Sequence, residues 1–170
     1  MAVLKVVHYP NAILKQKSKR VEHFDEKLHQ LLDDMFETMR SRDGVGLAGV
    51  QVGELKRILL VNIPREDGEQ YDEDLLEIIN PVILRHEGEI LWNEGCLSVP
   101  DFYEEVRRYE HITLGYQDRF GNEKVLQAEG FLAVALQHEL DHLDGILFID
   151  KLSIIKRKKF EKLLKKSQKD

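Results

Sequence analysis

The sequence lacks the features that mark secreted, membrane-spanning and repetitive proteins. Cys96 is the single cysteine among 170 residues, so an internal disulfide is impossible and a reducing, cytoplasmic setting is expected. No apolar run approaches the roughly 18 residues that a membrane helix requires. The opening MAVLKVVHYP shows no charged leader, no long apolar stretch and no small-residue cleavage site, so secretion is not expected. No repeat or low-complexity linker interrupts the chain, which favours one domain over residues 1–170.

Charge is distributed unevenly along the chain. The net charge is −6, but the stretch from Lys151 to Asp170 has nine Lys or Arg residues and two acidic ones, a local charge of +7. Residues 1–150 therefore carry −13. An acidic body argues against a DNA-binding surface, while a basic tail leaves room for contact with RNA. The content of 42% hydrophobic and 33% charged residues is typical of a folded, soluble protein.

The apolar pattern predicts a mixture of helices and strands. Helical spacing predicts helices at about 25–41, 130–143 and 153–166, the last of them basic. Runs of branched residues predict strands at 57–62, 75–84, 106–116 and 124–128, with a turn at 119–122. The expected fold class is α+β: antiparallel strands packed around the buried helix at 130–143, flanked by an N-terminal and a C-terminal helix.

The strongest chemical signal is the segment His138-Glu139-Leu140-Asp141-His142. Two histidines four residues apart lie on one face of a helix, so both imidazoles can reach the same metal ion. Glu139 lies beside the first histidine and is suited to hold a proton of a water molecule. Burying these polar groups without partners would be costly, which argues against chance. The buried helix is therefore predicted to bind a metal.

A third ligand is needed, because a catalytic metal usually has three protein ligands and one open position. Cys96 lies in a loop-like segment, Glu94-Gly95-Cys96-Leu97-Ser98, and its thiolate would complete the set.

A metalloendopeptidase is the rival enzyme class, with Glu161 as third ligand, although its lysine-rich surroundings suggest exposure. A purely structural metal site is the non-enzyme rival, with His111 as the fourth ligand available in the sequence.

The glycine-rich stretch Gly44-Val45-Gly46-Leu47-Ala48-Gly49 lacks the lysine and the spacing of a phosphate-binding P-loop. It is better interpreted as backbone that passes close to a substrate. Together with Gln51, it resembles the first of three signature motifs of the peptide deformylases. The segments 94–98 and 137–142 resemble the other two, in the same order. Similarity extends to His8-Tyr9-Pro10 and to residues 34–39, so the resemblance covers nearly the whole chain.

The resemblance implies a metal-dependent hydrolase that removes the N-formyl group from the initiator methionine of nascent polypeptides and releases formate. It implies that Cys96, His138 and His142 bind one divalent ion. The ion is usually Fe²⁺ in this family, while Ni²⁺, Co²⁺ or Zn²⁺ can replace it. The same nitrogen and sulfur ligands suit several metals, so the sequence does not choose among them.

The resemblance also implies the roles of the neighbouring residues. Glu139 would take a proton from the attacking water and pass it to the leaving amine. The Gln51 side-chain amide and the Leu97 backbone N–H would stabilise the developing oxyanion. Gly46 would pair with the peptide like an added strand. The methionine side chain would lie in a pocket of Val45, Trp92, Phe131, Val134 and Ala135, positions for which ordinary core packing is the alternative.

Two positions depart from the family pattern. Gly49 replaces an alanine of many members, and Tyr103 replaces an arginine that helps to shape the peptide-binding edge in many bacterial members. The departure at Tyr103 leaves the peptide preference open.

Some bacterial members dock on the ribosome through the C-terminal helix. The basic helix at 153–166 would suit RNA phosphates in the same way, or it is simply a solvated face.

Overall fold

The computed structural model describes residues 2–169 and shows seven strands and three α-helices in that range. In chain order they are α1 (Glu26–Ser41), β1 (Gly46–Ala48), β2 (Ile58–Val61), β3 (Leu76–Glu87), β4 (Ile90–Cys96), β5 (Val99–Arg108), β6 (His111–Gln117), β7 (Glu123–Glu129), α2 (Gly130–Leu143) and α3 (Ile154–Lys169). None of these helices combines the length and the apolar character needed to cross a membrane. The predicted α+β class is confirmed, as are the three helices.

The strands form two antiparallel sheets. A five-stranded sheet has the order β1-β2-β3-β6-β7, and β4 pairs with β5 in a separate hairpin. The sheet places β1 at one edge, so one side of this short strand is free to face another element. Successive strand residues point to opposite faces, and β2 is buried on both.

Two helices cover the two faces of the large sheet. On one face, Leu28 and Leu32 of α1 pack against Ile58 and Leu60 of β2. On the other face, a cluster that includes Leu59 joins Leu136 of α2 to the strands. Helix α1 begins at a capping side chain, because Asp25 accepts a hydrogen bond from the Leu28 N–H at 3.1 Å. Helix α2 lies between the large sheet and the β4–β5 hairpin.

The prediction of one strand over 106–116 is wrong. The chain leaves the hairpin after Arg108 and enters the large sheet at His111, so the predicted strand is the end of β5 and the start of β6. Strand-forming residues continue across the break, and this continuity hides it in the sequence. Tyr109 at the break is held by Gln137 of α2, which bonds to both its N–H and its carbonyl oxygen.

The glycine-rich and cysteine-containing segments are more regular than predicted. Gly46–Ala48 forms the edge strand β1, and Cys96 is the last residue of β4 rather than part of a loop. Strand β4 escapes the pattern because Asn93, Glu94 and Gly95 interrupt its apolar residues. Glu94 is nevertheless buried, since it is paired with an arginine on the opposite strand.

Candidate metal centre

The end of β4 and one face of α2 bring three metal-ligating side chains together. Ligand atoms of Cys96, His138 and His142 all lie within 4.8 Å of one another. The Cys96 Sγ is 3.3 Å from the His142 Nε2, and the two imidazole centroids are 5.0 Å apart. The spacing of four residues along α2 places both rings on the same side of the helix, one turn apart.

The donors in this cluster fit a transition metal. Burial lowers the pKa of His142 well below its usual value, which keeps the imidazole neutral, as a ligand must be. Burial alone would also lower the pKa of His138. The charge of Glu139, with contacts from Cys96 and Glu94, raises that pKa instead. Surroundings that favour a proton on a buried imidazole also favour a metal cation in its place.

The His138 ring is oriented by a buried carboxylate. Its Nδ1 lies 2.8 Å from Glu94 Oε1, which leaves Nε2 for a metal, in the arrangement common among histidine ligands. Arg108 donates two hydrogen bonds to Glu94, at 2.7 and 2.8 Å, and a third to Asp141. Burial opposes the charged form of Glu94, but the bonds from Arg108 and His138 outweigh it and lower the pKa of Glu94 to about 2.

Glu139 lies next to the cluster without a partner for one of its oxygens. Its Oε1 is buried and has no hydrogen bond, and its Oε2 is 3.9 Å from the His138 Nε2. Burial raises the pKa of Glu139 to about 7. Gly46 of β1 faces this carboxylate so closely that a Cβ there would lie 2.5 Å from Glu139 Oε2. A carboxylate placed in this way can exchange a proton with a small molecule that enters beside it.

The Gln51 amide is held in one orientation. Its oxygen accepts a hydrogen bond from the Ala48 N–H at 2.9 Å, so its nitrogen faces the cysteine side. That nitrogen donates to Ser98 Oγ at 3.1 Å and lies 3.5 Å from Cys96 Sγ. Leu97 follows Cys96 in the turn between β4 and β5. Both predicted oxyanion-binding residues therefore lie beside the cluster.

A cavity of about 520 Å³ opens next to the cluster, and we call it the metal-side cavity. Trp92 and Phe131 stack in its wall with ring centroids 5.0 Å apart and an interplanar angle of 8°. Tyr103 also lines it, with 65% of its surface exposed and its ring lying on Gly95. The cavity is lined by the five residues predicted for the methionine pocket and by Gly46, the residue predicted to pair with the peptide: Val45, Gly46, Trp92, Phe131, Val134 and Ala135.

The two rival ligands lie elsewhere. Glu161 of α3 faces Arg157, with Nε and Oε1 3.6 Å apart. The His111 side chain is 48% exposed and pairs with Glu129 at 3.4 Å. Among the side chains that the structure describes, the one group of three or more possible metal ligands is that of Cys96 and the two histidines. The geometry thus gives no support to an endopeptidase with Glu161 or to a structural site closed by His111.

The buried supports of the cluster were missed in the sequence. Glu94 and Asp141 stand inside the quoted motifs, so their proximity to the ligands was a usable signal. Arg108 has no such signal, because it lies 30 residues before His138 and next to another arginine, Arg107, that is exposed. A long-range charge pair of this kind leaves no local pattern.

Comparison with known proteins gives concordant matches. The family model described as "Polypeptide deformylase" matches residues 3–158. A peptide deformylase of Helicobacter hepaticus is 59% identical over 171 residues, covering 100% of this chain and 94% of the relative. One from Wolinella succinogenes is 61% identical over 166 residues, covering 98% of each.

Solved structures agree with the sequence relatives. The crystal structure of a peptide deformylase from Legionella pneumophila superposes with a TM-score of 0.90 at 40% identity, covering 99% of this chain and 96% of that one. The peptide deformylase from Ehrlichia chaffeensis in complex with actinonin gives a TM-score of 0.90 at 42% identity, with 100% of both chains covered. Sequence and three-dimensional similarity therefore extend over the same full length.

Proposed function

The chain belongs to the peptide deformylase family, and we propose that Cys96, His138 and His142 hold the metal ion on which its hydrolysis depends. The activity of this family is removal of the N-formyl group from nascent chains, so the protein is a hydrolase. The observation that carries the proposal is the cluster of these three side chains at the edge of the metal-side cavity, with Glu139 beside it. The proposal takes residues 1–170 as one catalytic domain.

The ion itself is proposed to be Fe²⁺, as is usual in this family, with Ni²⁺, Co²⁺ or Zn²⁺ possible in purified protein. One thiolate and two imidazoles suit all of these metals. When bound, such an ion supplies Lewis acidity and lowers the pKa of water toward about 7. Three protein ligands beside a cavity leave room for water and substrate, which is the arrangement of catalytic rather than structural sites.

Glu139 is proposed to move the proton. Its buried carboxylate takes a proton from the attacking water and delivers it to the nitrogen of the leaving methionine. The unpartnered Oε1 supports this role, because it is free to bond the water or the amine in turn. A pKa raised to about 7 is suited to both uptake and release near neutral pH.

Gln51 and Leu97 are proposed to stabilise the oxyanion that forms on the formyl carbon. The Gln51 nitrogen is directed toward Cys96 by the bond from its oxygen to Ala48, so no reorientation is needed when charge develops. The Leu97 backbone N–H would be the second donor. Both residues border the metal-side cavity.

The methionine side chain is proposed to lie against the stacked rings of Trp92 and Phe131, with Val45, Val134 and Ala135 completing the pocket. Gly46 belongs to the edge strand β1, whose other side pairs with β2, and it lines the cavity. An extended peptide can therefore add to this edge through main-chain hydrogen bonds. An apolar pocket beside a free strand edge suits an unfolded chain end that begins with methionine.

Contact with the ribosome through the basic helix remains part of the proposal. Lys156 and Lys159 lie 3.5 and 3.7 Å from the carboxylate of Glu104 on β5, and Arg157 is 3.0 Å from Asp150. These contacts join α3 to the body of the protein, and Lys158, Lys162, Lys165 and Lys166 supply further charge for RNA. Because formylated chains arise where translation occurs, the proposal places the protein in the cytoplasm.

The decisive experiment is formate release from formyl-Met-Ala by protein loaded anaerobically with iron or nickel. Wild type is expected to release formate, and Glu139→Ala is expected to lose at least about a hundredfold of that rate, because general acid–base catalysis contributes roughly 10²–10⁴-fold. Metal content measured on both proteins is the control. A Glu139→Ala variant that binds one metal and keeps the wild-type rate would contradict the proposed role.

A further inference from the structure

A second cavity shares part of its lining with the metal-side cavity. It has a volume of about 530 Å³ and runs between the N-terminal arm, the start of β5 and helix α3. We call it the α3 groove. Its apolar lining is formed by Tyr9, Val99, Phe102, Phe160, Leu163 and Leu164.

The floor of the α3 groove is built by aromatic side chains that are already packed. Phe160 is 3% exposed, and its ring centroid lies 5.4 Å from that of Tyr9 and 4.8 Å from that of Phe102. The buried Phe160 ring fixes α3 beside this floor, and Lys156 and Lys159 lie 3.5 and 3.7 Å from Glu104 of β5. The groove is therefore present in the folded chain and does not need a partner to form it.

The wall between the two cavities is shared. His8, Pro100 and Asp101 line both of them, so a chain that leaves the metal-side cavity over these residues enters the α3 groove. The N-terminal arm is fixed to the wall by a hydrogen bond of 2.7 Å from the Tyr9 N–H to the Ser98 carbonyl oxygen. Asp101 has a φ of 63°, a left-handed conformation that few non-glycine residues adopt.

We propose that the α3 groove binds the downstream part of the peptide substrate and prefers apolar side chains after the third residue. The inference rests on the proposed function, since it extends the peptide from the methionine pocket. A nascent chain continues beyond its first residues and must leave the metal-side cavity. The shared wall makes the groove continuous with that exit, and the exposed Leu163 gives it an apolar rim.

The test compares three peptides on nickel-loaded protein: formyl-Met-Ala-Ser, formyl-Met-Ala-Ser-Leu-Phe-amide and formyl-Met-Ala-Ser-Gly-Ser-amide. The last two have equal length and differ in the apolar character of the fourth and fifth residues. We expect kcat/KM for the Leu-Phe peptide to exceed that for the Gly-Ser peptide by roughly tenfold, the effect of partly burying one or two apolar side chains. A ratio near one in wild type would overturn the inference.

Two variants of α3 locate the effect. Leu163→Glu places a charge on the rim, where 47% of the leucine is exposed, and is expected to reduce the tenfold ratio to about twofold or less. Ile155→Glu is the matched control, because Ile155 is 82% exposed on the same helix and does not line the groove. It should keep the wild-type ratio. If both variants reduced the ratio of the two kcat/KM values equally, the effect would not come from contact with the groove.

A binding measurement separates this inference from the proposed function. The unformylated peptide Met-Ala-Ser-Leu-Phe, with a fluorophore on a C-terminal lysine, is titrated with each protein and followed by anisotropy. Weaker binding to Leu163→Glu than to Ile155→Glu supports the groove, even if no peptide releases formate and the proposed function fails. The same Kd for both variants overturns the groove, even if deformylation is observed.

Discussion

Helix α2 packs against two partners of opposite character. Toward the large sheet it presents Ala133, Leu136 and Leu143, all fully buried in an apolar cluster. Toward the β4–β5 hairpin it presents His138, which pairs with Glu94, and Asp141, which pairs with Arg108. One helix is thus buried by hydrophobic contact on one side and by ion pairs and hydrogen bonds on the other.

The difference shows how stability and chemistry are divided within one element. Apolar contacts are non-directional and tolerate small changes of shape, so the sheet side fixes where α2 lies. Buried charges are tolerated only when their partners are present and well aligned, so the hairpin side fixes how His138 is oriented. Substitutions on the two sides of α2 should therefore differ in their effects on the free energy of unfolding and on metal binding.

The largest expected effect is that of Arg108→Ala. Removing this cation leaves Glu94 buried without its bidentate partner and deprives Asp141 of a donor. Breaking a buried pair in this way lowers the free energy of unfolding by about 3–5 kcal/mol. Urea denaturation of the metal-free protein measures it.

The adjacent Arg107 supplies the control for that experiment. Its side chain is 68% exposed and its nearest carboxylate, on Glu89, is 3.7 Å away and equally exposed. Arg107→Ala should change the free energy of unfolding by less than about 1 kcal/mol, because exposed pairs contribute little. Similar losses for the two arginines would show that the buried network does not stabilise the hairpin side.

A second pair of variants separates stability from metal binding. Leu136→Ala opens a cavity on the sheet side and is expected to lower the free energy of unfolding by about 2–5 kcal/mol. Because Leu136 faces away from the ligands, the affinity of the folded protein for metal should stay within about twofold of wild type. Glu94→Gln keeps the shape of the hairpin side but removes the charge that orients His138, and it should weaken metal binding by about 10–100-fold.

Competition with a fluorescent chelator measures both affinities, and denaturation of the metal-free variants measures both stabilities. The comparison fails if Leu136→Ala weakens metal binding as much as Glu94→Gln does. Such a result would mean that the position of α2, rather than the orientation of His138, limits the site.

The same two sides explain which parts of the molecule were predictable. The bounds of α2, its burial and its two histidines follow from apolar spacing and a local motif, and the structure has the helix at the predicted residues. The five residues assigned by resemblance to the methionine pocket line one cavity, while their contact with methionine stays a prediction. These features depend on residues that are close in sequence or that are recognised through the resemblance to the peptide deformylases.

The hairpin side was not predictable in the same way. Strand β4 contains Glu94 and Gly95, which break the pattern of apolar residues by which a strand is recognised in a sequence. Tyr109, at the break between β5 and β6, is hydrogen-bonded by Gln137, 28 residues further along the chain. Contacts between polar groups that are distant in sequence produce no periodic pattern. The hydrogen bonds that support the metal ligands can therefore be seen only in the three-dimensional structure.

The smallest expected effect concerns that break. Gln137 accepts a hydrogen bond from the Tyr109 N–H at 2.9 Å and donates one to the Tyr109 carbonyl oxygen at 2.8 Å. Gln137→Leu keeps the side-chain volume but leaves both backbone groups without this partner. Since Tyr109 is 40% exposed and water can replace part of the loss, the free energy of unfolding should fall by about 1 kcal/mol.

Gln127→Leu, on the exposed part of β7, is the matched control and should be neutral within about 0.5 kcal/mol. If Gln137→Leu were neutral as well, water alone would satisfy Tyr109, and the passage from the hairpin to the large sheet would not depend on α2. A measurable loss confined to Gln137 would mean that this helix determines where one sheet ends and the other begins. The element that carries the two histidines would then also set the course of the strand that carries Arg108, the cation that holds Glu94 against His138.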